Sequence, residues 1–535
     1  MPAVMFIRSV GINADRLRIA RKLPAFPRIA PRLEPDMRNI FFLLFTLLGT
    51  VHAHAAPMGE ADARHLLNRT GFGAPPAAVT EFSRLSREAA VERLLASART
   101  TPTLQPPEQE FTSPAQIREI KQFSEEEKKA FQRSQFLKGA ELRGWWLQEM
   151  LQTPSPLTER MTLFWHNHFV SSQQKVKSGR LMLEQNLLLR RHALGHFGEL
   201  LHTVAKDPAM IIYLDAATNR KGQPNENFAR EVMELFTLGE GNYSEQDIKE
   251  AARAFTGWSI DRETGKYRWR AAMHDAGEKT VLGNRGNFDG DAVLDLLLRQ
   301  AATAEFISGK LWREFVSPAP DPAQVRQIAR VFRSTGYDIR QALRALLLSE
   351  GFWSPRNRGV LVKSPVDLVV GSMRTLEIDV RDSLPLVFVT RNLGQDLMAP
   401  PNVKGWPGGN AWINASTLLA RRQFIERLLR NDDASPQARR NGNAMAMQAR
   451  RQEESNPRVA FGKGAGHLES AARQRLLQAA NDIRFNSHRW LSHFDGEVAV
   501  ANALLAVPAV SPVPPETQGM ALVRALALDP SYQLK

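Results

Sequence analysis

Two glutamates three residues apart are the first candidates for chemistry in this sequence. Glu231 and Glu234 lie in the stretch Pro224–Gly239, whose apolar residues recur with helical spacing. At about 100° of rotation per residue, both carboxylates fall on one flank of that helix, beside its apolar stripe. Carboxylates at such a half-buried position need a cation, a metal ion or a proton. The pair is a candidate for metal binding or acid–base catalysis, and a structural pairing with arginines is the alternative.

Two histidines lie in a second helical pattern, which follows Ser155-Pro156 and is apolar on most of its faces. His166 and His168 are two residues apart, so their side chains project in nearly opposite directions on a helix and cannot share one ion without other ligands. Each is expected either to join a ligand set from another segment or to be a satisfied core histidine. The metalloprotease spacing His-Glu-x-x-His does not occur.

A third group, His274 and Asp275, lies on a stretch without helical periodicity. A neighbouring His and Asp on one loop can reach a common ion. Because the chain has no cysteine, any metal must be held by His, Asp, Glu or carbonyl oxygens.

These groups together support a hypothesis of one composite site. A divalent metal, whose identity stays open, would activate water for the hydrolysis of an envelope or imported polymer. A glutamate would act as ligand or base, and the histidines would be ligands. The candidates are Glu231 and Glu234 for catalysis and His166, His168, His274 and Asp275 for the metal.

Gly and Pro residues make the stretch 399–413 a rigid loop that carries Trp406 and Trp412. Indole faces on such a loop can stack on a sugar, and a structural turn anchored by buried Trp is the alternative. Near the glutamates, Asn225 or Asn227 can cap the helix, and Arg230 can pair with a carboxylate. The candidate substrate-binding residues are Arg230, Asn225, Asn227, Trp406 and Trp412.

Helical patterns dominate the elements that must position these residues. The sequence predicts a mainly α fold, a single large multi-helix domain with irregular loops. One small β-hairpin is expected, formed by residues 267–270 and 279–282. The predicted helices include two short ones within 60–98 and longer ones over 116–152, 180–206, 226–238, 302–315 and 413–430.

The composition along the 535 residues predicts a helical core followed by an insertion and a C-terminal tail. Residues 56–430 are predicted to form the helical core. Polar residues replace apolar ones from 431 to 465, which predicts a flexible insertion. Residues 466–535 are predicted to add a C-terminal helical tail that completes the domain.

The N-terminal region predicts export. Residues 37–55 combine a charged start, a nine-residue apolar run and an Ala-x-Ala exit, which indicates a secretory signal peptide cleaved after Ala55. The run is too short to be a lasting membrane anchor. Residues 1–36 are a leader or a wrongly assigned start. We expect a periplasmic or secreted protein. Its basic charge, +14 for the whole chain, is compatible with anionic polymers or membrane surfaces, and export makes a nucleic-acid partner unexpected.

Several distinctive blocks follow one another along the chain, at 65–73, 164–169, 225–231 with 234–239, 254–258 and 400–409. Together these blocks resemble the family of unknown function DUF1800. The resemblance implies an exported, mostly helical bacterial protein without an established activity. It also implies a partner, because such proteins are often encoded beside an exported sulfatase- or phosphatase-like protein. One departure is Phe236, where members often carry His.

Three functions therefore stay open. The first is the metal-dependent hydrolase-like site. The second is a non-catalytic helical scaffold that partners the sulfatase-like protein, with its carboxylates facing arginines. The third is a glycan-binding module that uses Trp406 and Trp412. His and Glu side chains that converge on one point would favour the hydrolase-like site. Arginines that pair with the carboxylates would favour the scaffold. Indoles that line a groove would favour the glycan-binding module.

Overall fold

Side-chain caps mark where many of the helices begin. In the computed structural model, which describes residues 56–430 and 470–535, Ser124 opens the longest helix with a capping box. Its Oγ accepts from the Glu127 backbone N–H at 3.2 Å, and the Glu127 carboxylate accepts from the Ser124 N–H at 2.8 Å. This box divides the predicted 116–152 helix into two. The predicted leader 1–36, signal peptide 37–55 and insertion 431–465 lie outside the described residues.

The fold is mainly α, as predicted. The α-helices are Gly59–Thr70, Pro76–Ser83, Arg87–Ala96, Pro114–Gln122, Glu125–Gln152, Pro156–His168, Gln173–Val176, Gly179–Arg191, Phe197–Ala205, Pro208–Tyr213, Glu226–Glu231, Glu245–Ala254, Gly290–Arg299, Ala301–Phe315, Pro322–Ser334, Ile339–Leu347, Glu350–Trp353, Pro365–Thr375, Leu384–Asn392, Ala415–Arg430, Ser470–Asp482, Ser487–Leu491, Glu497–Leu504 and Gly519–Leu528. A π-helical turn, Val232–Thr237, continues one of them. Short 3₁₀ turns are Ala216–Thr218, Ala271–Met273, Pro355–Asn357, Gly409–Trp412 and Pro530–Gln533.

Two small antiparallel sheets replace the single predicted hairpin. Trp258–Ile260 pairs with Tyr267–Trp269, and Lys279–Val281 pairs with Asn284–Gly286. The predicted pairing of 267–270 with 279–282 is therefore wrong. The reason is local: Leu282 and Gly283 both have positive φ, at 49° and 74°, which makes a tight turn that returns the chain on itself.

The core contains large aromatic and cationic side chains side by side. Trp146, Trp165 and Trp312 are fully buried, and so are Arg69 and Arg160. A buried guanidinium must be satisfied. Arg69 is held by the carbonyls of three residues far along the chain, Phe315, Val316 and Asn357, at 2.6–3.0 Å. Buried cations thus connect segments that are distant in sequence.

Candidate functional site

A cleft of about 430 Å³ opens beside the helix Pro156–His168 and the helix Ala301–Phe315. Segments 361–367 and 395–412 complete its wall. Cationic side chains outnumber carboxylates in this lining. The cations are Arg160, Lys310, Arg313, Lys404 and Lys535, and the carboxylates are Glu314 and Asp367. We call this space the cationic cleft.

Both carboxylates of the cationic cleft are already paired. Arg160, which is buried, contacts the carboxylates of Asp367 and Glu314. Lys535 donates to the second oxygen of Asp367 at 2.8 Å. Burial alone would raise the pKa of Asp367, but Arg160 and Lys535 hold that pKa well below its usual range. Of the other cations, Lys310 and Arg313 have no carboxylate within 4.0 Å among the described residues, and Lys404 lies 3.8 Å from Glu234, outside the lining.

Lys310 is the most enclosed of these cations. Its ammonium donates to Nδ1 of His168 at 3.0 Å and to the carbonyl of Leu235 at 3.3 Å. Burial, with Arg313 nearby, lowers the pKa of Lys310 to about 8. Within the described chain, no carboxylate lies within 4.0 Å of its Nζ.

His168 has no nitrogen left for a metal. Because Lys310 donates to Nδ1, the ring hydrogen must sit on Nε2, which donates to the carbonyl of Phe236 at 3.2 Å. Burial, reinforced by the neighbouring ammonium, lowers the pKa of His168 well below its usual value. The ring is therefore a neutral bridge between Lys310 and the end of the π turn.

His166 lies on the other side of the same helix. Its ring is 5.4 Å from that of Trp146 and 5.7 Å from that of Trp406, centroid to centroid. Burial lowers its pKa to about 4. Its Nε2 atom has no hydrogen-bond partner among the described residues. The opposite placement of the two histidines follows the helical geometry that the sequence indicated.

Asn167, between the two histidines, holds the loop that carries the tryptophans. Its side-chain oxygen accepts from the Trp406 N–H at 2.7 Å, and its amide nitrogen donates to the Trp406 carbonyl at 3.4 Å. Gly405 has φ of 78°, and a Cβ there would lie 2.2 Å from the same oxygen. The loop can approach Asn167 only because residue 405 is glycine.

Trp406 and Trp412 both line the cationic cleft. They are 5% and 7% exposed, so most of each indole is packed and only part of it faces the cleft. The 3₁₀ turn Gly409–Trp412 ends at the second indole. The two indoles are mainly packed within the loop, and their small exposed parts add apolar surface to a charged cleft.

The two glutamates flank the junction between α-helix and π turn. In Val232–Thr237 the Leu238 N–H bonds five residues back to Met233 at 2.8 Å, and the Thr237 hydroxyl does the same to Val232 at 2.6 Å. The carbonyls of Leu235 and Phe236 are taken up by Lys310 and His168. A π turn is thus held by side chains of the cleft.

Glu231 and Glu234 are half-buried, as the sequence indicated. Burial raises the pKa of Glu231, and the negative charge of Glu234 adds to this, against Lys404 and Arg230. Glu234 accepts from the Tyr243 hydroxyl at 3.1 Å and lies 3.8 Å from the Lys404 ammonium. Lys404 links this pair to the cationic cleft, although neither glutamate lines it.

Arg230 and the two asparagines serve local structure. Arg230 donates to both oxygens of Glu245 at 2.8 Å and to Glu226 at 3.3 Å. Asn225 caps its helix by accepting from the N–H of Asn227 at 3.0 Å. Asn225 faces a separate surface groove, and Asn227 is exposed. The structure does not bring these three side chains to the cationic cleft.

The predicted composite metal site does not assemble. Asp275 is held by Arg253 at 2.8 Å, and that hydrogen bond lowers its pKa to about 2. His274 points Nδ1 at the Thr256 carbonyl at 3.0 Å. No group of three or more His, Cys, Asp or Glu side chains placed to hold a metal occurs in residues 56–430 and 470–535. His168, His274 and Asp275, which the sequence analysis grouped as ligands of one metal, each have a different hydrogen-bond partner in the fold.

Comparison with protein-family models matches residues 65–534 to a family described as "Protein of unknown function (DUF1800)". The chain belongs to the DUF1800 family. Searches of curated proteins and of solved structures found no match. Two blocks that carried the resemblance meet at the cationic cleft, 164–169 through Asn167 and His168 and 400–409 through Lys404 and Trp406. A third, 234–239, supplies the carbonyls bound by Lys310 and His168.

Sequence reasoning missed Lys310, Arg313 and Asn167. Lys310 and Arg313 are three residues apart on the helix Ala301–Phe315, whose other neighbours Ile307 and Leu311 are buried. The available signal was the position of Lys310, one residue before the apolar Leu311 and three after the apolar Ile307, which places it beside the buried face of the helix. The role of this lysine depends on which segments pack against it, and helical spacing alone does not predict those segments.

Proposed function

We propose that this DUF1800 protein binds an acidic saccharide in the cationic cleft. The observation that carries the proposal is the charge of the lining, whose two carboxylates are already paired with Arg160 and Lys535. Among the described residues, Lys310 and Arg313 have no carboxylate within 4.0 Å, and Lys404 has only Glu234, which lies outside the lining. Cations left in excess in a cleft attract an anionic group, and sulfate, phosphate and carboxylate all accept hydrogen bonds from Lys and Arg.

The saccharide part of the proposal rests on the tryptophans. The indoles of Trp406 and Trp412, 5% and 7% exposed, lie in the same lining as the cations. Indole surface suits the apolar face of a sugar ring, and the cations suit its acidic substituents. The scaffold alternative expected arginines on Glu231 and Glu234, but Arg230 and Arg253 form their hydrogen bonds with other carboxylates.

The proposed ligand class is tested by comparing a charged with an uncharged polymer. Titration calorimetry of the full chain with sulfated dextran and with plain dextran isolates the acidic group. We expect saturable binding of the sulfated polymer that weakens as salt is raised, and much weaker binding of the plain one. Equal affinity for both polymers, or no binding of the sulfated one at low salt, would refute the proposal.

We also propose that the protein works outside the cytoplasm, as the segment 37–55 predicts. The sulfatase- or phosphatase-like partner implied by the family resemblance would act on esters of the same chemical class as the proposed ligand. In the described residues no helix is both long and apolar enough to cross a membrane. N-terminal sequencing of protein from the periplasmic fraction is expected to begin at Ala56. A cytoplasmic protein with residues 37–55 intact would contradict export.

A further inference from the structure

A second, smaller cavity lies behind one wall of the cationic cleft. Its volume is about 150 Å³, room for a molecule of a few non-hydrogen atoms. Asp367 and Lys535 line both spaces, so their ion pair forms part of the boundary between them. We call this space the inner cavity. Its lining also includes Lys363 and Tyr532.

Lys363 is held in place by its backbone. Residues 361–363 run antiparallel to 533–535, with the Lys363 N–H donating to the Gln533 carbonyl at 2.8 Å. The guanidinium of Arg421, fully buried, donates to the Lys363 carbonyl at 2.9 Å. The segment that presents this lysine to the inner cavity is thus fixed on both sides.

The amine of Lys363 has an aromatic neighbour and no acceptor. Its Nζ lies 4.0 Å from the ring centroid of Tyr532, whose hydroxyl is engaged with Ser372 at 2.8 Å. In the described residues no oxygen accepts a hydrogen bond from this Nζ, whereas the neighbouring Lys535 has Asp367. A lysine that lines a cavity without a fixed counter-ion is available to react with what enters it.

Burial favours the neutral form of Lys363, and the charges that face its amine act in both directions. Burial is the largest effect and lowers its pKa to about 7. Asp367 opposes the shift, while Lys535 and Arg421 add to it. Tyr532 presents its ring face, which favours the charged ammonium as Asp367 does. About half of the amines are then unprotonated at neutral pH, the form that attacks carbonyl carbon.

We propose that Lys363 is a reactive amine that condenses with the aldehyde or ketone group of a small carboxylate in the inner cavity. The Lys363 nitrogen forms a C=N bond with the carbonyl carbon, the carbonyl oxygen leaves as water, and nothing is oxidised or reduced. Arg64, Arg358 and Lys535 line the cavity with one carboxylate, Asp367, while Glu60 and Asp62, which pair with the two arginines, lie outside that lining. The cations on the cavity side favour a carbonyl compound that carries a carboxylate. This inference does not depend on saccharide binding in the cationic cleft.

Reductive trapping tests the proposal on the native full chain. The protein is incubated at neutral pH with glyoxylate and cyanoborohydride, digested, and the rate of carboxymethylation of each lysine is measured by mass spectrometry. We expect Lys363 to react at least about tenfold faster than the exposed Lys249 and Lys266. Its rate should rise with pH through about 7, before those of the exposed lysines.

Two controls separate a reactive site from a merely accessible one. In urea the advantage of Lys363 over Lys249 and Lys266 is expected to vanish, and a folded Lys363→Arg variant should lose the fast phase. Reaction of Lys363 at or below the rate of the exposed lysines, or a fast phase that maps to Lys310 instead, would overturn the proposal. The first measurement needs no variant, so a folding defect cannot obscure it.

Discussion

The Nζ atom of Lys310 lies 3.0 Å from Nδ1 of His168, and this one contact explains two features of the cationic cleft. It fixes the imidazole hydrogen on Nε2, where Phe236 accepts it, so the π turn keeps its end carbonyl satisfied. It also leaves the lysine hydrogen-bonded to neutral groups only. An ammonium whose hydrogen-bond partners are all neutral is strongly stabilised by a bound anion.

Affinity for sulfated dextran is expected to fall as pH rises through about 8, because Lys310 loses its proton there. The sign follows from charge: below that pH the ammonium attracts the anion, and above it the amine is neutral. Calorimetric titrations at several pH values between about 6 and 9.5 measure the effect. A Lys310→Met variant should bind more weakly and lack this step. The same pH dependence in the variant would contradict the assignment to Lys310.

Gly405→Ala should disturb the cleft more than Gly408→Ala. Both glycines have positive φ, at 78° and 72°, so a side chain at either position strains the backbone. Only at 405 would the new methyl group meet Asn167, whereas nothing lies within 4 Å at 408. We expect Gly405→Ala to lose about 1–3 kcal/mol more of the free energy of unfolding in urea melts. It should also weaken ligand binding more. Equal losses for the two variants would mean that the loop is not held by Asn167.

Asp367→Asn is expected to destabilise the protein by about 3–5 kcal/mol, because it leaves the buried Arg160 and Lys535 without their shared anion. The control is Glu88→Gln, which removes an exposed partner of Arg344 and should cost less than about 1 kcal/mol. Chemical denaturation of both variants gives the comparison. Similar losses in the two variants would contradict this account.

The same carboxyl group also predicts how stability depends on pH. Because the pKa of Asp367 is lowered in the fold, its contribution to the free energy of unfolding should be lost as pH falls below the ordinary pKa range of Asp.

For Asp207 we expect the free energy of unfolding to depend on pH with the opposite sign. Burial raises its pKa to about 7, although Met210 and Gln185 donate to it. A group with a raised pKa in the fold favours folding below its ordinary pKa, and this contribution is lost as pH rises through the folded value. Unfolding free energy should therefore decline between about pH 4 and 7, and Asp207→Asn should flatten that decline and be the more stable form near pH 8. Parallel curves for the two proteins would show that Asp207 is not responsible.

Helix positions were readable from the sequence because they depend on local spacing and caps. The predicted 302–315 helix is Ala301–Phe315 in the structure, and 413–430 is Ala415–Arg430. The π turn at Val232–Thr237 was not readable, because its end carbonyls are satisfied by Lys310 and His168 from other segments. Spacing along one segment cannot report a hydrogen bond from another.

The same distinction between local pattern and tertiary contact applies to the candidate site. The placement of Trp406, Trp412 and His168 in one lining agrees with the idea that distant blocks meet. The grouping of His274 and Asp275 with the glutamates failed, because Arg253 and Thr256 lie close enough to take up both side chains. Residue type showed which groups can do chemistry, whereas the choice of partner is a property of the tertiary structure.

The central claim is that excess positive charge in the cleft binds an acidic ligand, and Arg313→Ala tests it most directly. Arg313 is exposed and lines the cleft, while Arg326 is an exposed arginine on the helix Pro322–Ser334, outside that lining. The affinities of Arg313→Ala, Arg326→Ala and the unmodified chain for sulfated dextran are compared at one salt concentration. The account predicts a loss of about tenfold or more for Arg313→Ala and little change for Arg326→Ala. Equal affinities of the two variants would contradict it.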